Sequence, residues 1–173
     1  MAWKLEKSPV QIANLSHVGI AVRSVERTAK FLSSIWNIGD PEVYDYEAKQ
    51  EDLFFGEAFK LRIAHVKVGP LQIELLEPLD VKSIWSKFIE EKGEGIHHIA
   101  LGVSNYDEMV KVTQEKGHKL LVSAVFEGCR WCYFDTSPGG IVIEYREEYR
   151  RVTALEEPVV SAGDSRGLES APR

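Results

Sequence analysis

The chain says one thing twice, and that repeat restricts its fold more than any other property. Ser16-His17-Val18-Gly19-Ile20-Ala21-Val22 aligns position by position with His97-His98-Ile99-Ala100-Leu101-Gly102-Val103. In each copy large aliphatic residues alternate with small ones, the two-residue period of a strand buried on one face. The histidine shares its face with Gly19 and Ala21 in one copy and with Ala100 and Gly102 in the other, where missing side-chain volume leaves room for another group. A helical pattern follows each copy. Ser24 precedes Val25 to Trp36, with apolar residues at helical spacing, and Ser104 with Asp107 resembles a capping box ahead of Met109. Gly39 and Gly117 fall where these helices should stop. Strand-like runs then lead to Leu71-Gln72-Ile73-Glu74-Leu75-Leu76 and to Gly140-Ile141-Val142-Ile143-Glu144-Tyr145. Each copy therefore opens with a histidine on a strand and closes with a carboxylate on a strand, which reads as two βαβββ modules from one internal duplication.

The boundaries follow from that reading. Residues 1–13 read as a lead-in, 14–78 as the first module, 79–93 as a connecting helix, 94–149 as the second module and 150–173 as a disordered tail rich in small and polar residues. A length of 173 residues suits one domain made of both modules. A formal charge of −6 argues against a nucleic-acid or anionic membrane partner. No apolar run approaches the ~20 residues of a membrane helix. Met1 to Lys7 lacks the apolar centre of a secretory signal, so a cytoplasmic protein is expected.

His17, Glu74, His98 and Glu144 form a two-histidine, two-carboxylate set, one pair from each module. A pseudo-two-fold pairing of the modules would bring all four to one centre. Glu74 and Glu144 both sit inside apolar strands, where a charge needs a partner. Imidazole with carboxylate suits one divalent ion of the Co, Mn, Ni, Zn or Fe kind. It does not suit a closed structural zinc site, which favours thiolates. Alternation selects His98 over His97, which falls on the face of Ile99 and Leu101 and should pack or touch a ligand. His65 and His118 have no counterpart in the other module and read as incidental. Cys129 and Cys132 have C-x-x-C spacing, but on a strand they point to opposite faces and read as two reduced structural thiols. The stretch from Asp40 to Gly56 reads as an acidic, aromatic loop whose Tyr44, Tyr46, Phe54 and Phe55 cover either an open cavity or a helix or dimer seam. Pro138-Gly139-Gly140 is a tight turn with no helix after it, so it is not a phosphate loop.

Four stretches carry a family resemblance. They are His17 to Val22, Ile73 to Leu79, Gly93 to Leu101 and Gly139 to Glu144, within about residues 14–146. On them the chain resembles the vicinal oxygen chelate superfamily (glyoxalases, bleomycin-resistance proteins and extradiol dioxygenases), and within it the methylmalonyl-CoA epimerases. The resemblance implies an α+β fold in which paired βαβββ modules form a cup-shaped mixed sheet, usually in a homodimer. It implies one divalent metal held by His17, Glu74, His98 and Glu144, and a small-molecule substrate. The implied reaction is epimerisation of an α-acidic acyl-CoA such as methylmalonyl-CoA through a metal-stabilised enolate, with Glu144 as one acid/base. Where the family can place a second, a glutamate on the strand before that of Glu74, an ungapped alignment of Lys60-Leu61-Arg62-Ile63-Ala64 puts Arg62. Arginine is no base at neutral pH, but it can bind a substrate carboxylate or phosphate. Lys60 and Lys67 could likewise meet the phosphates of an acyl-CoA, or be solvated strand charges. Three alternatives use the same fold: a glyoxalase-like lyase on another small carbonyl substrate, an extradiol-type dioxygenase, and a metal-free binding module. Glu74 weighs against the dioxygenase, which needs two histidines and one carboxylate.

Overall fold

The computed structural model describes residues 11–147, so most of the lead-in, the last two residues of the second module and the whole tail lie outside the described residues. The elements in chain order are β1 (Ile12–Ala21), α1 (Val25–Trp36), β2 (Val43–Ala48), β3 (Leu53–Phe55), β4 (Phe59–Val68), β5 (Leu71–Pro78), α2 (Ile84–Lys92), β6 (Gly95–Val103), α3 (Tyr106–Glu115), β7 (Lys119–Phe126), β8 (Cys129–Asp135) and β9 (Val142–Glu147). The duplication is visible in them. β1-α1-β2-β4-β5 and β6-α3-β7-β8-β9 are the two βαβββ modules, α2 joins them, and β3 is an addition with no counterpart.

All nine strands form one mixed sheet in the order β2-β4-β5-β1-β6-β9-β8-β7-β3. The modules meet at β1 and β6, which run antiparallel, while β1 pairs β5 and β6 pairs β9 in parallel. The sheet curls until its ends approach, and Tyr46 on β2 packs edge-on against Phe126 on β7 with ring centroids 4.9 Å apart. A 3-10 turn at Gln50–Asp52 carries the chain from β2 at one end to β3 at the other. The expected loop from Asp40 to Gly56 thus contains two strands. In β2, Tyr44 and Tyr46 turn inward while Asp45 and Glu47 are exposed, the alternation of a half-buried strand. Phe54 and Phe55 of β3 remain largely exposed.

Strand alternation sorts the remaining apolar residues into an inside and an outside. Phe59, Leu61 and Ile63 of β4 and Trp131 and Tyr133 of β8 pack with Trp85 of α2 within the cup. Ala64 and Val66 of β4 and Leu75 of β5 face outward under Val25 and Ala29 of α1. Cys132 and Phe134 of β8 lie under Tyr106 and Met109 of α3. Ser24 caps α1 by accepting from the Arg27 N–H, and Gly93 ends α2, as the pattern requires. Two caps shift. Asn37, in the left-handed region at φ 51°, ends α1 ahead of Gly39. Asn105, accepting from the Glu108 N–H, caps α3, and Ser104 bonds Gln11 instead. Both cysteines lie on β8 as free thiols, Cys132 buried beneath α3 and Cys129 half-buried. No helix among the described residues is long and apolar enough to cross a membrane.

Candidate metal centre

The four residues predicted to converge do so. His17 on β1, Glu74 on β5, His98 on β6 and Glu144 on β9 each offer an atom, all within 4.8 Å of one another. Their strands are the four at the centre of the sheet, and register explains the meeting. His17 lies opposite Ala100 and His98 opposite Gly19 across the antiparallel junction. Glu74 stands beside Gly19 and Glu144 beside Ala100 in the parallel pairs. Each bulky polar side chain therefore projects over a neighbour with little or no side chain. At Gly19 the need is absolute, because a Cβ there would lie 1.8 Å from Cε1 of His98.

The inner atoms are crowded. Nε2 of His17 and Nε2 of His98 are 3.1 Å apart. Oε2 of Glu144 lies 3.2 Å from each of them, and Oε2 of Glu74 lies 3.3 Å from the first and 3.7 Å from the second. His98 is completely buried and Glu144 is 2% exposed. Despite its near neighbours, Oε2 of Glu144 makes no geometrically acceptable hydrogen bond. A buried carboxylate oxygen so placed, aimed at two ring nitrogens that also aim at each other, fits a cation between them. The donor set, two imidazoles and two carboxylates, is that of a borderline divalent ion. Burial opposes a charge on His17, but the carboxylates of Glu74 and Glu144 outweigh it and lift its pKa to about 10. Burial likewise pushes Glu74 and Glu144 up, and the charge on His17 reverses this and holds both well below the usual carboxylate range. The pair of buried carboxylates thus favours positive charge at this centre, which a divalent ion would supply in place of a proton.

A surrounding layer holds these groups. Ser16 Oγ lies 3.3 Å from Nδ1 of His17, and the Tyr133 hydroxyl lies 3.3 Å from Nε2 of His98. Nδ1 of His97 is 3.2 Å from Nδ1 of His98. Burial and the neighbouring His98 lower the pKa of His97 to about 3, so its ring is neutral. Sequence alternation puts His97 on the face of Ile99, but β6 bulges there. Ile20 pairs with Ile96 and Gly19 with His98, leaving His97 unmatched and turned toward His98, Trp85 and Tyr133.

The outer oxygens of the two carboxylates are also taken. His65 Nε2 lies 3.1 Å from Oε1 of Glu74, and Arg146 Nη1 donates to Oε1 of Glu144 at 3.1 Å. Neither residue is expected at the site from sequence: His65 reads as incidental, and Arg146 opens the charged stretch Arg146-Glu147-Glu148-Tyr149-Arg150-Arg151, which carries no motif. Both line the cavity above the centre, which has a volume of about 230 Å³ and a wall of aromatic and aliphatic side chains joined by Ser16 and Gln72. Arg62, the sequence candidate for substrate binding, lies elsewhere. It occupies the outward parity of β4, where its guanidinium donates to Asp45 at 2.7 and 3.1 Å and to Glu26 on α1 at 3.0 Å. Leu61 and Ile63 flank it inside the cup, so the expectation for Arg62 is corrected by one residue of strand parity.

The family model described as the Glyoxalase/Bleomycin resistance protein/Dioxygenase superfamily matches residues 16–133. The uncharacterized protein YqjC of Bacillus subtilis (strain 168) is 28% identical over 107 residues, 62% of this chain and 69% of that protein. A hypothetical protein from Bacillus halodurans C-125 has a crystal structure that superposes with a TM-score of 0.61 at 27% identity, over 83% of this chain and 98% of that one. The methylmalonyl-CoA epimerase of Mycobacterium tuberculosis superposes with a TM-score of 0.60 at 26% identity, over 80% of this chain and 89% of that one.

Proposed function

Because the chain belongs to the glyoxalase/bleomycin resistance protein/dioxygenase superfamily, we propose that it is a divalent-metal-dependent isomerase that epimerises an α-acidic acyl-CoA such as methylmalonyl-CoA. The convergence of His17, Glu74, His98 and Glu144 around one orphaned carboxylate oxygen carries the reading. Likeness to an epimerase of known structure supports the choice of reaction. A divalent cation held there supplies Lewis-acid polarisation to a carbonyl and lowers the cost of negative charge on its oxygen. The side chains of this protein do the rest. Tyr133, fully buried beside His98, keeps its proton, since burial and the charge of Glu144 raise its pKa well above the ordinary value. Glu144 takes or returns the α-proton on the β9 side of the cavity. Inversion needs a second proton carrier facing it, and we assign that part to His65 on β4 (not to Arg62), since β4 and β9 are opposite walls of the cup and His65 points inward.

Proton exchange tests this directly. Metal-loaded protein incubated with methylmalonyl-CoA in heavy water should incorporate deuterium at the α-carbon, and Glu144→Gln should abolish incorporation. Absence of exchange with metal bound excludes the epimerase. One observation favours a second reading: Phe59, Trp85 and Trp131 line the cavity, and such walls suit a planar or aromatic substituent. A glyoxalase-like lyase on another small carbonyl compound would use the same ligand set, and it is separated from the epimerase by turnover without α-deuteration of methylmalonyl-CoA.

A further inference from the structure

We infer that Arg146 is the anion-recognition residue of the cavity, and that the ligand held beside the metal centre is an anion presenting a carboxylate or equivalent oxyanion to it. Arg146 is the one arginine or lysine among the described residues lining the cavity. It stands two residues after Glu144 on β9, so strand alternation directs both side chains to the same face. Its side chain is 29% exposed and lines the cavity beside Glu144. Nη1 spends one N–H on Glu144. A guanidinium has five donors in a planar fork, which leaves enough to grip a carboxylate.

Charge balance sets the ligand's sign. Glu74 and Glu144 carry two negative charges and a divalent ion cancels them. His17 and His98 would be neutral as ligands, and Arg146 then remains as one uncompensated positive charge on the wall of the cavity. A site of that kind favours an anion and discriminates against a neutral ligand of the same shape. The conclusion rests on the metal-dependent reading above and sharpens it: the acidic group of the substrate, not its acyl chain alone, is what the protein recognises. It also replaces Arg62, whose guanidinium is held outside the cup by Asp45 and Glu26.

Binding of small probes tests the assignment without turnover. Malonate and its neutral dimethyl ester are titrated into the metal-loaded full-length protein by calorimetry, with the visible spectrum of the cobalt form as a second readout. Wild-type protein should bind malonate, and Arg146→Gln should weaken it roughly 10- to 150-fold, the range for a hydrogen bond to a charged group, while leaving metal stoichiometry at one. The ester should bind weakly to both and equally. Arg146→Lys, which keeps the charge and loses the fork, should recover part of the affinity and covers the case in which the glutamine variant fails to fold. Equal malonate affinity in wild type and Arg146→Gln overturns the inference, as does loss of the metal itself in both variants, which would make Arg146 only a brace for Glu144. Malonate binding that depends on Arg146, in a protein that exchanges no α-proton of methylmalonyl-CoA, would refute the epimerase and leave the inference standing.

Discussion

Replacing Gly19 with alanine adds one carbon and two hydrogens, and the structure says where that carbon goes. It falls 1.8 Å from Cε1, 2.3 Å from Nδ1 and 2.4 Å from Nε2 of His98. Regaining an ordinary carbon contact of ~3.5 Å requires the ring to retreat by roughly 1.7 Å. It has nowhere to go: Tyr133 crosses it at a centroid distance of 4.8 Å, His97 at 5.4 Å, and the side chain has no exposed surface. Overpacking of this kind costs about 1–3 kcal/mol, so the metal-free variant should still fold, with a lower urea midpoint. Its metal site should not survive, because metal–ligand distances tolerate only about ±0.2 Å. Altering a mere supporting residue costs about 10–100-fold in metal affinity, so displacing a ligand should cost at least the upper figure. The assay is thermal unfolding with and without added cobalt or manganese, alongside elemental analysis of the dialysed protein. Metal at 100 times its dissociation constant stabilises a folded protein by about 2.7 kcal/mol, which corresponds to a rise of roughly 5–10 °C for a chain of this size. Wild type should show that rise and Gly19→Ala should not. A Gly19→Ala protein that takes up one equivalent at wild-type affinity refutes the placement of His98 and the centre with it.

Other perturbations follow from the same geometry. His97→Phe removes the group 3.2 Å from Nδ1 of His98 and should weaken metal binding about 10–100-fold, with part of the loss recovered in His97→Gln, as read by chelator competition. Arg62→Met should leave metal affinity and malonate binding unchanged, since its partners Asp45 and Glu26 are outside the cup; a loss of either would return Arg62 to the site. Asp80 accepts from the backbone N–H groups of Ser83 at 2.7 Å, Lys82 at 2.8 Å and Lys60 at 3.1 Å. Burial works to raise its pKa, and these donors outweigh it and lower the value below the ordinary 3.8. Because the folded value is the depressed one, its stabilisation is complete above the ordinary aspartate range and fades as pH falls through the folded value. Asp80→Ala should therefore cost about 1–2 kcal/mol in urea unfolding at pH 7, and the gap from wild type should narrow as pH falls below the ordinary aspartate range.

The convergence of the four polar residues was legible because a repeat constrains two places at once. A lone histidine on a strand means little, whereas His17 and His98 at equivalent positions, with Glu74 and Glu144 closing equivalent modules, leave few arrangements but convergence. What escaped was local. Arg146 belongs to a run of charges, and a sequence does not say where a last strand stops; its two-residue spacing from Glu144 becomes informative only once β9 is known to reach Glu147. Arg62 was a parity error that Leu61 and Ile63 could have prevented, since apolar neighbours on both sides of a charged strand residue mark the opposite face. The same counting would have turned His65 inward. His97 was beyond such counting, because the bulge that re-aims it depends on how β6 pairs with β1. The strand β2 was hidden by composition, its inward tyrosines and outward acids resembling a loop. The caps moved because Ser104 and Asn105 are both good capping residues, and an asparagine such as Asn37 can take the left-handed turn that a glycine usually provides.

Two strands lie at the outer margins of the sheet, and both come from the same short stretch of chain. β2 borders one margin with its acidic Asp45 and Glu47 exposed, and β3 borders the other with only three residues, 53–55. An unpaired strand is a template on which another molecule can add its own, the first step toward fibrils. Here one margin is charged and the other is too brief to seed a ladder. The segment crossing between them also ties residues of the first copy onto the second, so cutting the gene between its two copies would not yield two self-sufficient halves: the second would lack its border strand and bare the length of β7 to any passing backbone.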